Sequence, residues 1–172
     1  QDNYSEFHIM RFSQFSQWTE ELLDLYLKDL ETAEIDGRNL VEAKDAYMMA
    51  YTAPEQYKSI RQYLPEISDE KQECIDEIVT LQMKQQDEYV QKYPKISARG
   101  RNNYQSDSIY DTSVEVYLRG ELSTYSIYTL YKYRKYLQDL ENENMNLPEM
   151  IVEETARQKG FNSLTELENC LK

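Results

Sequence analysis

In V-E-V-Y-L-R-G-E-L-S-T-Y-S, residues 114–126, three charged side chains stand inside an otherwise apolar helical pattern. Glu115 and Arg119 are four residues apart, so on a helix they meet on one face. Glu121 points elsewhere and needs a different partner. Burying a charge is costly unless it is paired and hydrogen-bonded. In the row Phe7, Arg11, Gln14, Trp18, Leu22, Leu25, two polar residues interrupt an apolar stripe, and Arg11 is the first candidate partner for Glu121, with Lys44 as the alternative. Three readings stand open: a solvated rim of the helix, a buried ion network, or a ligand pocket. In the pocket reading Arg11 and Arg119 hold an anionic group, because a guanidinium binds a carboxylate or phosphate bidentately. Gln14 joins the polar lining there, and Trp18 and Tyr125 form walls. Glu115 or Glu121, with a pKa shifted by burial, is then the candidate catalytic acid–base group.

Other chemistries have weaker support. His8 is the only histidine, which excludes a His-rich zinc site, and no Glu-x-x-His pair of the di-iron bundles occurs. A carboxylate-only divalent site stays open but nothing fixes its ligands, so no metal is assigned and the cofactor is unknown. Cys74 and Cys170 belong to no C-x-x-C pair and are expected to be two free thiols. No glycine-rich phosphate loop occurs. Lys92, Lys95, Arg99 and Arg101 gather in K-Y-P-K-I-S-A-R-G-R; a solvated basic loop and an anion site both fit them. The aromatic and basic run Y-S-I-Y-T-L-Y-K-Y-R-K-Y-L has helical spacing, which favours core packing over base stacking.

The elements that position these groups are all helical. Apolar Phe12, Phe15, Leu22, Leu23, Tyr26 and Leu30 predict one long helix from about Ser5 to Ile35, stopped near Gly37. A second is predicted from Asn39 to Tyr51, ending before Pro54, and a short one over P-E-Q-Y-K-S-I-R-Q-Y-L, closed by Pro65. Ser68 is a good N-cap for a long helix carrying Cys74, Ile78, Leu81, Gln85 and Tyr89 on one face and ending near Pro94. Residues 95–111 have no helical pattern, and a loop of that length is functional or mobile. T-S-V-E offers a capping box between Thr112 and Glu115, opening a helix to about Glu141 that is apolar nearly all round and so surrounded by others. Gly120 in its interior costs about 1 kcal/mol against Ala, tolerable where another helix or a ligand approaches the backbone. Pro148 begins a helix ending at Gly160, and Ser163 with Glu166 makes a second capping box. The predicted fold is an all-α, single-domain helical bundle of five or more helices around a central apolar helix, about residues 112–141.

The chain has 172 residues, a formal net charge of −13, 16 Tyr, 4 Gly and 4 Pro. That length suffices for one core without staples, and the scarce turn formers suit long helices. The acidity opposes binding to nucleic acid or to anionic membranes. No run approaches the ~18 apolar residues of a membrane span, and Q-D-N-Y-S-E-F is not a secretory signal, so a cytoplasmic location is expected. The sequence opens on Gln1, not Met, and an upstream segment is expected.

The segments F-H-I-M-R-F-S-Q-F-S-Q-W, G-R-N-L-V-E-A-K-D-A-Y-M-M-A-Y-T-A-P-E-Q-Y, L-P-E-I-S-D-E-K, Y-P-K-I-S-A-R-G-R and T-S-V-E-V-Y-L-R-G-E-L-S-T-Y-S, in this order and spacing, resemble a bacterial family, domain of unknown function 4125. The resemblance spans nearly the whole chain. Its pattern implies a segment ending Gly-Gly-Arg-Ala-Ser-Cys ahead of Gln1. Arg11, Gln14, Trp18, Thr112, Glu115, Arg119, Gly120, Glu121 and Tyr125 match that pattern, whereas Ala43, Asp45 and Tyr47 stand where Glu, Tyr and Arg are expected. The resemblance implies a fold and no activity. The residues themselves lead to the expectation of a small anionic molecule bound between the first and central helices. The alternative is a structural or interaction module whose buried charges only fix helix register.

Overall fold

The computed structural model describes residues 2–105 and 111–172; of the 95–111 loop, residues 106–110 lie outside the described residues. Ten α-helices and one 3-10 turn follow one another, with no strand among the described residues. Helices α1 (Asp2–Phe15) and α2 (Glu20–Ile35) replace the single long helix expected from 5 to 35. The break comes from Thr19, whose side chain accepts from the Leu22 amide while Glu20 and Glu21 occupy the first turn of α2. The Tyr136 hydroxyl donates to the Gln17 carbonyl and anchors the corner. This kink changes the helical phase. Leu22 is fully buried, yet Phe12, Leu23 and Leu30, expected on the same face, are exposed.

Helix α3 (Leu40–Thr52) starts at its Asn39 cap, α4 (Pro54–Ile60) begins on proline, and a 3-10 turn covers Arg61–Tyr63. Helix α5 (Asp69–Lys92) is capped by Ser68 as expected. A four-residue helix, α6 (Pro94–Ser97), forms at the start of the segment expected to lack helix. The expected central helix is two: α7 (Val114–Ser123) and α8 (Ile127–Asn142). Ser126 caps α8 by accepting from the Thr129 amide, and its own amide is held by Asp29 Oδ2 at 2.9 Å. The cap of α7 is Ser113, which accepts from the Val116 amide, not Thr112; Glu115 sits in the first turn. Helices α9 (Leu147–Gln158) and α10 (Leu164–Cys170) carry the Asn146 and Ser163 caps. Gly37 and Gly160 terminate helices at φ +67° and +93°, a region L side chains avoid.

Helix α5 runs through the middle and packs on α7, α8 and α9, while α1 lies on α9, α2 on α8 and α3 on α7. The main core joins Leu22, Ile75, Ile78, Leu122, Leu130 and Leu137 to an aromatic group around Trp18 and Tyr125. A smaller core under α6, α9 and α10 includes Tyr89, Tyr93, Ala156 and Leu164. Both cysteines are free, Cys74 buried and Cys170 exposed. Among the described residues, no helix is long and apolar enough to cross a membrane.

Candidate functional site

Helices α1 and α7 bring Arg11 and Glu121 together. Arg11 Nη1 and Nη2 donate to Glu121 Oε1 and Oε2 at 3.0 and 3.4 Å, and Nη1 also donates to Gln14 Oε1 at 3.0 Å. The Glu121 side chain is 8% exposed and that of Arg11 22%. Burial opposes the charge on Arg11, but attraction to Glu121 and the hydrogen bonds outweigh it, and the guanidinium is held above its ordinary pKa. Tyr125, one turn beyond Glu121, reaches Glu121 Oε1 with its hydroxyl at 3.5 Å. The phenol of Tyr125 is fully buried, and desolvation followed by the Glu121 charge push its pKa well up, so it remains a neutral donor.

Trp18 and Tyr125 belong to the core. Their ring centroids lie 6.2 Å apart, edge to face, and Phe15, Tyr26 and Tyr133 complete the cluster. Such edge contacts match the positive ring rim to the negative face. Above the ion pair is an open groove of about 450 Å³ walled by Tyr4, Phe7, Phe12, Phe15 and Leu23, with Arg11 on its floor. Of the residues expected in the pocket, only Arg11 lines this groove. The guanidinium carbon lies 5.8 Å from the ring centroids of both Phe7 and Phe15, within cation–π range.

Glu115 and Arg119 form a separate network. Arg119 Nε donates to Glu115 Oε1 at 3.2 Å, and Nη1 donates to Asp76 Oδ1 of α5 at 2.7 Å. The candidate residues thus fall into two groups, one clamping α7 to α1 and the other clamping it to α5. Asp76 was not legible as a partner, because α5 carries many carboxylates on its polar face. Lys44, the alternative partner for Glu121, instead donates to Tyr117 Oη at 3.0 Å and lies over that ring. Gly120 is where α3 touches α7: a Cβ there would clash with Met48 and meet the Lys44 carbonyl at 3.1 Å. The close approach is to a helix.

The basic 92–101 segment is dispersed among other contacts. Lys92 pairs with Glu149 at 2.7 Å, and Arg101 donates to the Thr112 carbonyl while covering the Tyr117 ring. The Lys95 and Ile96 amides at the start of α6 donate to Glu168 Oε1 and Oε2 at 2.8 and 2.9 Å. A carboxylate of the chain itself occupies these anion-binding amides. Among the described residues, no three His, Cys, Asp or Glu side chains gather to hold a metal.

No curated protein and no solved structure matches the chain. The family model described as a protein of unknown function, DUF4125, matches residues 1–169, and the chain belongs to that family.

Proposed function

We propose that this chain is a protein-interaction module whose α1–α2 surface receives a basic amphipathic helix of a partner protein. In this reading the Arg11–Glu121 pair fixes the register of α1 on α7. The observation that supports it is a continuous exposed apolar strip. Leu23, Leu27 and Leu30 are 37%, 52% and 41% exposed at i, i+4 and i+7 spacing on α2, and Leu23 leads into the groove walled by Phe7 and Phe12. Exposed apolar patches of this kind mark interaction surfaces, and grooves between helices accept amphipathic helices through regularly spaced anchors. Charge selects the partner. Glu20 and Glu34 close the two ends of the leucine strip, and exposed Asp24, Lys28 and Glu31 flank it, leaving four carboxylates against one ammonium. A second copy of the chain would set these carboxylates against themselves, whereas lysines around an apolar stripe would complement them.

Fluorescence anisotropy with a labelled leucine–lysine helical peptide tests this reading. Binding should be saturable, weaken with salt, and drop at least tenfold in Leu27→Glu and Phe12→Ser. Equal binding by wild type and both variants would overturn it. So would a wild-type dimer on sizing chromatography that Leu27→Glu dissolves.

A small anion held by Arg11 and Arg119, with Glu115 or Glu121 as acid–base group, is the second reading. It is favoured by the 22% exposure of Arg11 on the floor of the groove. Against it, both guanidiniums are already held by carboxylates, so an incoming anion would meet Glu121. A rise in melting temperature with phosphate or acetate, lost in Arg11→Met, would favour it.

A further inference from the structure

A second cavity shares no lining residue with the groove beside α1. It holds about 300 Å³, near the lower end of ligand pockets, between α3, the 60–65 turn, the start of α5 and the α7–α8 corner. Leu40, Ala43, Tyr47, Ile60 and Leu64 supply apolar wall, and Arg38 and Lys71 bring two cations into it. This is unexpected in a chain of net charge −13, whose other cations are mostly spread over ion pairs on the surface.

Lys71 is half-buried. Its Nζ makes one hydrogen bond, to the Ser123 carbonyl at 2.7 Å, and no carboxylate lies within 4 Å of it among the described residues. An ammonium carries three donors, so two have no protein acceptor among the described residues. Asp29, the nearest acidic influence on Lys71, is committed to the Ser126 amide. Burial above all, with the charge of Arg38 and against the pull of Asp29, lowers Lys71 to about 8. That is the condition of an ammonium short of counter-charge. Arg38 donates to Asp36, a pair in which both side chains are well exposed, 38% and 51%, and such pairs yield readily to competitors. Asn39 and Leu40 put the N-terminus of α3 at the same cavity; the Asn39 side chain already accepts from the Val41 and Glu42 amides, so the helix adds the field of its positive end and not free donors. The one acid in the lining is Glu42, whose residue is exposed.

We infer that this cavity binds a small molecule bearing an oxyanion, a carboxylate or phosphate monoester on an apolar body, with Lys71 and Arg38 gripping the oxyanion. The apolar body lies against Tyr47, Ile60 and Leu64. The site is separate from the α1–α2 strip, so either proposal stands without the other.

Titration calorimetry with phenyl phosphate, benzoate and inorganic phosphate tests it. Saturable millimolar or tighter binding of phenyl phosphate or benzoate is expected, and whichever binds better identifies the head group. Inorganic phosphate should bind more weakly, lacking the apolar body. Lys71→Met and Arg38→Gln should each weaken binding at least tenfold, and Lys71→Arg should retain most of it. Arg38 is exposed enough that Arg38→Gln leaves folding intact, should Lys71→Met fail to fold. No saturable binding of any probe, or affinity unchanged in Arg38→Gln, would overturn the proposal.

Discussion

Arg11 and Glu121 are 110 residues apart in sequence and meet through two parallel hydrogen bonds of 3.0 and 3.4 Å at the contact of α1 with α7. Their energetic role is opposed by desolvation. Removing one partner of a buried pair costs about 3–5 kcal/mol, while replacing both with apolar groups is often neutral. Arg11 keeps contact with water, so Arg11→Met should cost nearer ~2–3 kcal/mol, leaving the Glu121 carboxylate, among the described residues, with the Tyr125 hydroxyl alone. The double variant Arg11→Met/Glu121→Leu should lose less than the sum of the single losses. Urea unfolding of the four proteins measures the coupling, and strict additivity would contradict it.

Gly120 lets α3 and α7 come together at Met48 and the Lys44 carbonyl. Gly120→Ala gains about 1 kcal/mol of helix propensity but should lose ~1–3 kcal/mol to overpacking. A net loss is expected. It should shrink in a Met48→Ala background, which removes the first clash and leaves the carbonyl. A stabilised Gly120→Ala protein would mean that the two helices are not in contact as described.

Most of the helices were legible in the sequence, and so were the Ser68 and Ser163 caps, because each acts on its own first turn. The corners at 16–19 and 124–126 were not. Thr19 and Ser126 also cap, but they sit inside apolar runs whose spacing continues across them. What opens these corners arrives from distant sequence: the Tyr136 hydroxyl on Gln17 and the Asp29 carboxylate on Ser126. The pairing of Arg11 with Glu121, though equally distant in sequence, could be anticipated, since each is an isolated charge in an apolar row. The partition of Glu115 and Arg119 toward Asp76 could not, because no local pattern distinguishes Asp76 from its acidic neighbours. The leucine strip was misplaced through the missed corner. One unbroken helix would have carried Leu23 and Leu30 inward.

Tyrosine makes stability sensitive to alkali. Desolvation raises Tyr26, Tyr89 and Tyr136 to about 12, with Glu121 contributing at Tyr26 and Glu168 and Glu149 at Tyr89. An unfolded tyrosine ionises near pH 10. Between about pH 10 and 12 the native state therefore holds protons that the unfolded state has released, and stability must fall as pH rises through that window. Urea midpoints should decline from pH 10 upward. Tyrosinate absorbance should appear later in the folded protein than in urea. Coincident titration of folded and unfolded chains would contradict the buried setting of these rings.

Glu168 joins the end of the chain to the start of α6 through the Lys95 and Ile96 amides. Glu168→Gln keeps one acceptor oxygen but removes the charge, and charge-assisted bonds are roughly twice as strong as neutral ones. Glu168→Ala removes both acceptors. Hydrogen exchange at the Lys95 and Ile96 amides should accelerate modestly in the first variant and strongly in the second. The amides of α5 within the main core should be unaffected, because α6 and α10 pack on the smaller cluster of Tyr89, Tyr93, Ala156 and Leu164. Added acetate should slow exchange in Glu168→Ala by refilling the vacated donors, a response that a general loosening of the C-terminus would not give. If exchange instead rose equally across α5, the two cores would be one cooperative unit and Glu168 would hold more than a local clasp.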